Sequence, residues 1–407
     1  MTRKLFYLLL IPVIILGVLL WSPQKMVNAS QVDGKTKVEL QTYLQDHHIN
    51  GIILVNGKRD QPVVLRNKLT TNPAQVVAPN ALFPIGSLQK LITGVAVYQL
   101  VQKGKLKWEM PLSKYYPQIQ GSDQITLQQL MAHTSGLQND GALPKKTLNN
   151  EKSQERFFLH HFKNTASHDW NYQDIDFEML GAIIRQRTHD DYYHFIKKTV
   201  LRSLNHQQLK MVYQVKPRQV LQTMQPGVTW RILSQTASSE IGAGDLLLSP
   251  LNYWKFIYHD VISNPKLIKS FANQPKSQRE AYFGGVYFQG TVIRANGSEP
   301  GYNCCFFADY KTKRTLMLFT NNIDYQTLRQ TAEELYEIYY PLIVCYIKRQ
   351  FRGKVDGRDV AQQFFLKLFE LKAYNIRAPN AWVHTVAHNI AIDILRKEGK
   401  EKAIETF

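Results

Sequence analysis

Strand-forming residues are confined to the two ends of a stretch that otherwise reads as helix, and this separation limits the folds open to the chain. Near the front, GIILVNGKRDQPVVLRN (51–67) sets two apolar runs on either side of an Asn-Gly turn signal, the pattern of a hairpin. Far downstream, YFGGVYFQGTVIRANG (282–297), GYNCCFFADY (301–310) and KRTLMLFTNN (313–322) are rich in aromatic and β-branched residues. Residues 87–271 between them read as mainly helical, and further helices are expected at 36–47 and 327–339. Sheet at both ends with helices between implies one antiparallel sheet closed by the two ends of the body. The fold class is α/β in the α+β sense, with an inserted helical region. There is no internal repeat and no long low-complexity linker.

Composition fits a globular protein, with 44% hydrophobic and 20% charged residues. The charge balance is less ordinary: 50 Lys and Arg against 32 Asp and Glu give a net charge of +18. An anionic partner follows, and nucleic acid, an anionic cell-envelope polymer and lipid headgroups all satisfy it. Three cysteines, Cys304, Cys305 and Cys345, are too few for a disulfide framework and read as buried or inert thiols. No group of His, Cys and acidic residues has structural zinc spacing, and no glycine loop is built for phosphate. Neither a metal nor a cofactor is expected.

The N-terminus carries a compartment signal. Arg3 and Lys4 precede an apolar run at 5–21, too short for a comfortable span but suited to a signal sequence. Positive charge ahead of the run keeps the N-terminus inside and sends the remainder outside. VNAS (27–30) places Val27 and Ala29 as a small-residue cleavage site requires. Residues 1–29 are therefore read as a signal peptide or N-terminal membrane anchor, and the rest as extracytoplasmic, on the bacterial cell surface or secreted.

Candidate chemistry begins at FPIGSLQKLITGVAVYQLVQKGKL (83–106). Ser87 and Lys90 stand three apart at the start of a helix, so their side chains share a face. A serine hydroxyl is a weak nucleophile, and a partly desolvated lysine one turn away can take or relay its proton. The helix start also leaves backbone N–H groups free to hold an oxyanion. Ser22/Lys25 and Ser263/Lys266 repeat the spacing without such a helix start.

Downstream come TLQQLMAHTSGL (126–137), WNYQDIDFEMLGAII (170–184) and GAGDLLLSPLNYWKFI (242–257). With the Ser87 segment, in this order, they resemble the penicillin-recognising serine hydrolases of the class C β-lactamase and D,D-peptidase type, over residues 36–339. The resemblance implies a β-lactamase-like sheet with a helical insert. It also implies an acyl-serine enzyme acting on β-lactams, peptidoglycan stem peptides or related esters and amides. Carried over by position, Ser87 is the nucleophile, Lys90 its helix partner, and Tyr172 the tyrosine of the Tyr-x-Asn element that shuttles a proton. His133 stabilises a turn within the signature rather than reacting.

Two departures stand out. Asp174 replaces the asparagine two residues after the tyrosine; a carboxylate only accepts hydrogen bonds and adds negative charge at the substrate-binding position. In RANGSEPGYN (294–303), Ala295 occupies the slot of the family's edge-strand cation and only Gly297 matches. Arg294 is adjacent, but strand alternation turns it to the opposite face unless a bulge intervenes. Loss of that cation removes an electrostatic clamp on the substrate carboxylate, which leaves open both hydrolysis and substrate binding without turnover.

The last seventy or so residues change character. The run beginning YYPLIVCYIKRQ and ending AWVHTVAHNIAIDILRKEGK (339–400) resembles region 2 of sigma-70 type initiation factors, the extracytoplasmic-function group in particular. The resemblance implies that Asp359, Gln362 and Phe365 dock on the polymerase, and that Trp382, Asn389, Asp393 and Arg396 lie on the helix that melts the −10 element. Arg396 and Lys397 suit phosphate contacts. Phe364, Phe365, Leu368 and Phe369 form a core-facing stripe, so the tail is expected to be a small all-α bundle.

The expected division is thus a signal or anchor at 1–29, a hydrolase domain at 30–335 and a sigma-like domain at 336–407. The apolar run at 338–347 is about half of what a bilayer needs, so both domains are expected on one side of the membrane. The partners implied are peptidoglycan or another acyl substrate, and the membrane through the N-terminus. RNA polymerase and promoter DNA join them only if the tail is cytoplasmic.

Overall fold

The structure, a computed structural model, describes residues 32–57, 61–275, 277, 281–339 and 388–394. Its centre is a seven-stranded sheet of order β2-β1-β12-β11-β10-β9-β8, antiparallel throughout. The strands are β1 (Gly51–Asn56), β2 (Pro62–Asn67), β8 (Tyr282–Phe283), β9 (Val286–Gln289), β10 (Val292–Glu299), β11 (Tyr302–Asp309) and β12 (Thr315–Thr320). The first strand of the body pairs with the last, Ile53 opposite Leu318, which closes the sheet across the whole insertion. Asn56 pairs with Pro62, and the Gly57 N–H donates to the Gln61 carbonyl at 2.8 Å, so the pairing extends past the Asn-Gly signal.

The central strands are buried along their full length because both faces of the sheet are covered. Alternation sorts their side chains. Ile52, Leu54, Ala295, Cys304, Phe306, Met317 and Phe319 join the core shared with the helical insertion. Ile53, Val55, Cys305, Phe307, Leu316 and Leu318 join a second core under α1 (Gly34–Asp46) and α10 (Tyr325–Tyr339). The adjacent cysteines therefore point to opposite faces, both buried and free. Cys345 lies outside the described residues.

Both covering helices start two residues before the sequence pattern places them, because an aspartate caps each. Asp33 Oδ1 accepts from the Thr36 N–H at 2.8 Å, and Asp324 Oδ1 accepts from the Thr327 N–H at 2.7 Å. Tyr43 donates to Glu334 Oε2 at 2.7 Å, tying the first helix to the last.

The insertion holds α2 (Gln89–Gln102), α3 (Leu127–Met131), α4 (Glu151–His160), α5 (Asp174–Thr188), α6 (Tyr192–Lys198), α7 (Trp230–Ala237), α8 (Pro250–Lys255) and α9 (Pro265–Ala272). It also contains strands the sequence did not reveal. β3 (Phe83–Pro84), β6 (Leu209–Met211) and β7 (Leu246–Leu248) form one small sheet. β4 (Leu137–Asn139) pairs with β5 (Phe162–Asn164) in another. Two or three residues are too few for a period-two pattern to register. Among the described residues no helix is long and apolar enough to cross a membrane.

Leu318 is fully buried at the centre of the second core. Leu318→Ala should lower unfolding stability by about 2–5 kcal/mol, read from denaturant titration.

Candidate active site

Ser87 sits in a single 3₁₀ turn, Gly86–Leu88, that runs directly into α2. The turn presses on the edge of β10, and two glycines make the approach feasible. A Cβ on Gly297 would fall 2.1 Å from the Ile85 carbonyl oxygen, and one on Gly86 (φ 48°) would fall 2.8 Å from both Ser298 N and Ser298 O. Gly297 is buried and its neighbours Asn296 and Ser298, not Gly297 itself, line the cavity beside Ser87.

Lys90, one turn into α2, is wholly buried. Its ammonium donates to Ser87 Oγ at 2.8 Å, Asp174 Oδ1 at 2.6 Å and the Ala243 carbonyl at 3.2 Å, which engages all three of its N–H groups. Burial disfavours the charged form, but the Asp174 carboxylate, Tyr172 and Glu240 outweigh it and hold the ammonium above its ordinary range. The lysine therefore rests charged. Asp174 begins α5, where a carboxylate also meets the positive end of the helix dipole, and is partly exposed to the cavity.

Tyr172 lies between these groups and the interior. Its ring centroid is 5.1 Å from Lys90 Nζ and 4.3 Å from the His133 ring. Burial pushes the phenol up, Lys90 opposing. Ser87 and Lys90 thus converge with Tyr172 and Asp174 from two separate segments, while Gly297 supports the turn from the strand.

Beneath Tyr172 lies a cluster of triad-like composition but different wiring. His133 Nδ1 is 2.7 Å from Asp176 Oδ2, and the Ser135 hydroxyl donates to Asp176 Oδ1. Burial drives Asp176 far above and His133 far below their ordinary values. Ser135 bonds the acid rather than the imidazole and is buried, so it is no second nucleophile. His133 itself adopts φ 55°, in the turn-making position its sequence context implied.

The cavity measures about 590 Å³ and runs from Ser87, Tyr172 and Asp174 over the edge of β10 to Arg329 and Tyr336 on α10. Ala295 is buried in the core shared with the insertion, so the cationic slot on β10 holds no charge. Arg294 lies on the opposite face, its guanidinium 4.3 Å from the Tyr287 ring centroid, as alternation requires. Asn296 and Ser298 line the cavity, and the acids Glu240 and Glu299 lie near Lys90; none of the four had a role legible in sequence, Asn296 being the unmatched middle position of the Ala295–Gly297 element and the others lying outside any motif position.

Of the tail residues, Asn389 is exposed on the helical stretch 388–394, next to buried Ile390 and Ala391. Asp359, Gln362, Phe365, Trp382, Arg396 and Lys397 lie outside the described residues.

The Beta-lactamase family model matches residues 39–335, and the Sigma-70 region 2 model matches residues 335–401. PbpX of Bacillus subtilis (strain 168), which bears a penicillin-binding protein's name, is 24% identical over 324 residues, covering 75% of this chain and 81% of that protein. FmtA from Staphylococcus aureus superposes with a TM-score of 0.61 at 22% identity, covering 76% of this chain and 88% of that one. D-amino acid amidase from Ochrobactrum anthropi SV3, in its complex with L-phenylalanine amide, gives 0.63 at 17% identity, covering 76% and 99%. These structural likenesses concern the fold.

Because the Ile85 carbonyl would meet an added methyl as backbone, Gly297→Ala should cost about 1–3 kcal/mol of stability in denaturant unfolding and displace the Ser87 turn.

Proposed function

The chain belongs to the beta-lactamase family, and on that premise we propose that it forms an acyl ester through Ser87 Oγ with a β-lactam, a peptidoglycan stem peptide or a related ester or amide. The observation that carries this reading is the 2.8 Å contact between Ser87 Oγ and the Nζ of a wholly buried Lys90. Burying an ammonium is costly unless it is paired, and a surface Ser–Lys contact would need no such provision.

In the proposed step, Ser87 Oγ attacks the carbonyl carbon and passes its proton to Lys90 Nζ in its neutral form. The bond to the leaving group then breaks, and the Tyr172 phenol, protonated at rest, supplies a proton to that group. The backbone N–H groups at the start of α2 stand ready for the developing oxyanion. Water then attacks the acyl carbon and gives a proton to the Tyr172 phenolate, the ester bond to Ser87 Oγ breaks, and Lys90 returns its proton to that oxygen. Because Asp174 holds Lys90 charged, the base form is scarce near neutrality and grows as pH rises toward the raised value.

Intact-mass measurement with a β-lactam or activated ester tests this. Ser87 should gain the acyl mass, Ser87→Ala should not, and Lys90→Ala should slow labelling by about 10²–10⁴-fold. Asp174→Asn removes the charge that holds the ammonium, so its labelling should rise with pH at a lower pH than the wild type does. Slower labelling at every pH would instead make Asp174 the acceptor of the relayed proton. A wild type that never labels leaves the binding-only form.

The match to sigma-70 region 2 favours a second reading, in which the tail binds RNA polymerase and −10 promoter DNA. That match begins at residue 335 inside α10, whose Leu335 is packed in the second core, so the end of one match is also the start of the next. From the basic start and apolar run at 1–21 we place the body, and the tail with it, outside the cytoplasm. A reporter fused after residue 340 should be active only in its extracytoplasmic form; cytoplasmic activity would promote the transcriptional reading.

A further inference from the structure

Ser298, near the end of β10, borders two cavities. One runs past Ser87. The other, about 330 Å³, lies around the end of the strand where the segment after α7 meets the β10–β11 turn, and Glu240, Glu299, Asn303 and Asp324 line it. The two carboxylates of Glu240 and Glu299 converge: a Cβ on Gly244 would fall 1.9 Å from Glu240 Oε2 and 2.9 Å from Glu299 Oε1.

The oxygens there lack donors from outside the acid pair. Glu299 and Asn303 are 4% and 2% exposed. Neither Glu299 oxygen has a partner beyond the neighbouring Glu240 carboxyl, and Asn303 Oδ1 has none, its amide nitrogen being committed to the Ile323 carbonyl at 2.7 Å. Gln225 also spends its Nε2 on that carbonyl, at 2.6 Å. Among the described residues no lysine or arginine lines the cavity, and Lys90, the nearby cation acting on both acids, is already bound to Asp174. Buried acceptors without donors are costly, and their natural complement is a group that brings several N–H bonds and a positive charge. Among the described residues no set of three His, Cys, Asp or Glu is arranged to hold a metal ion. An ammonium, with three donors and no acceptor, fits the pattern.

We propose that this second cavity is a subsite for a protonated primary amine carried by the acyl substrate, held by Glu240, Glu299 and Asn303 Oδ1 while the carbonyl lies at Ser87. The proposal rests on the acyl-Ser87 reading. The two places are close, since Ser298 borders both cavities and its backbone abuts Gly86, the residue before the nucleophile. The substrate class this selects is an amino-acyl ester or amide, or a peptide bearing a free side-chain amine, rather than an acyl group ending in a methyl or carboxylate.

The test compares phenyl esters of glycine, 3-aminopropanoic acid and 6-aminohexanoic acid with methyl-terminated esters of equal length, on the full chain. The best amino ester should acylate Ser87 with kcat/KM about tenfold or more above its partner, the effect of one charge-assisted hydrogen bond. That ratio should collapse toward one in Glu299→Gln and in Glu240→Gln. A ratio near one in the wild type, or one retained in both variants, overturns the proposal. If no ester acylates, the Ser87 reading fails and the subsite is judged by binding alone. 1-Aminobutane should then raise the melting temperature where 1-butanol does not, and the difference should vanish in Glu299→Gln; equal effects of the two probes overturn it.

Discussion

The buried ammonium of Lys90 is the interaction around which the site is arranged. A charge in that position needs acceptors from every direction, and the fold draws them from the turn of Ser87, the first residue of α5 and the loop before β7. The last two are separated by 84 and 153 positions from the lysine, so satisfying one side chain pins the helical insertion together. The cost of removing an acceptor falls on an uncompensated buried charge, which ties the stability of the site to its chemistry.

The local electrostatics run against the molecule's net charge. A chain of formal charge +18 places Asp174, Glu240 and Glu299 around one lysine. Burial and then Asp174 push Glu240 up to about 8, and burial and then Glu240 push Glu299 well above the ordinary carboxyl range. Net charge describes the outer surface and long-range attraction. The character of the cavity is set by a few carboxylates whose desolvation the surrounding packing enforces.

The sheet supplies the geometry that both features use. Its closure by β1 and β12 fixes β10 as the strand whose edge carries Asn296, Gly297 and Ser298 past the serine turn. The two glycines at that contact let backbone meet backbone, so the nucleophile and the strand edge are held at a separation no side chain could set. The covering helix α10 then lies across the far end of the same cavity, and the sigma-70 region 2 match starts within it.

Much of this was legible in the residues themselves. Apolar runs rich in aromatic and β-branched residues at both ends of a helical stretch pointed to the closed antiparallel sheet, because such residues suit the local geometry of the pleated backbone. Ser87 and Lys90 were visible for the same reason, since a spacing of three places two side chains on one helix face. The opposite orientations of Ala295 and Arg294 also followed from alternation. The short strands β3 to β7 were not legible, because runs of two or three residues carry no period. Neither was the pairing of Lys90 with Asp174, nor the convergence of Glu240 with Glu299. These contacts join residues far apart in the chain, and no local pattern records which carboxylate will share a buried pocket with which cation. Sequence determined the elements and the faces they bury; tertiary packing decided which charges meet, because desolvation and Coulomb attraction act through space and not along the chain.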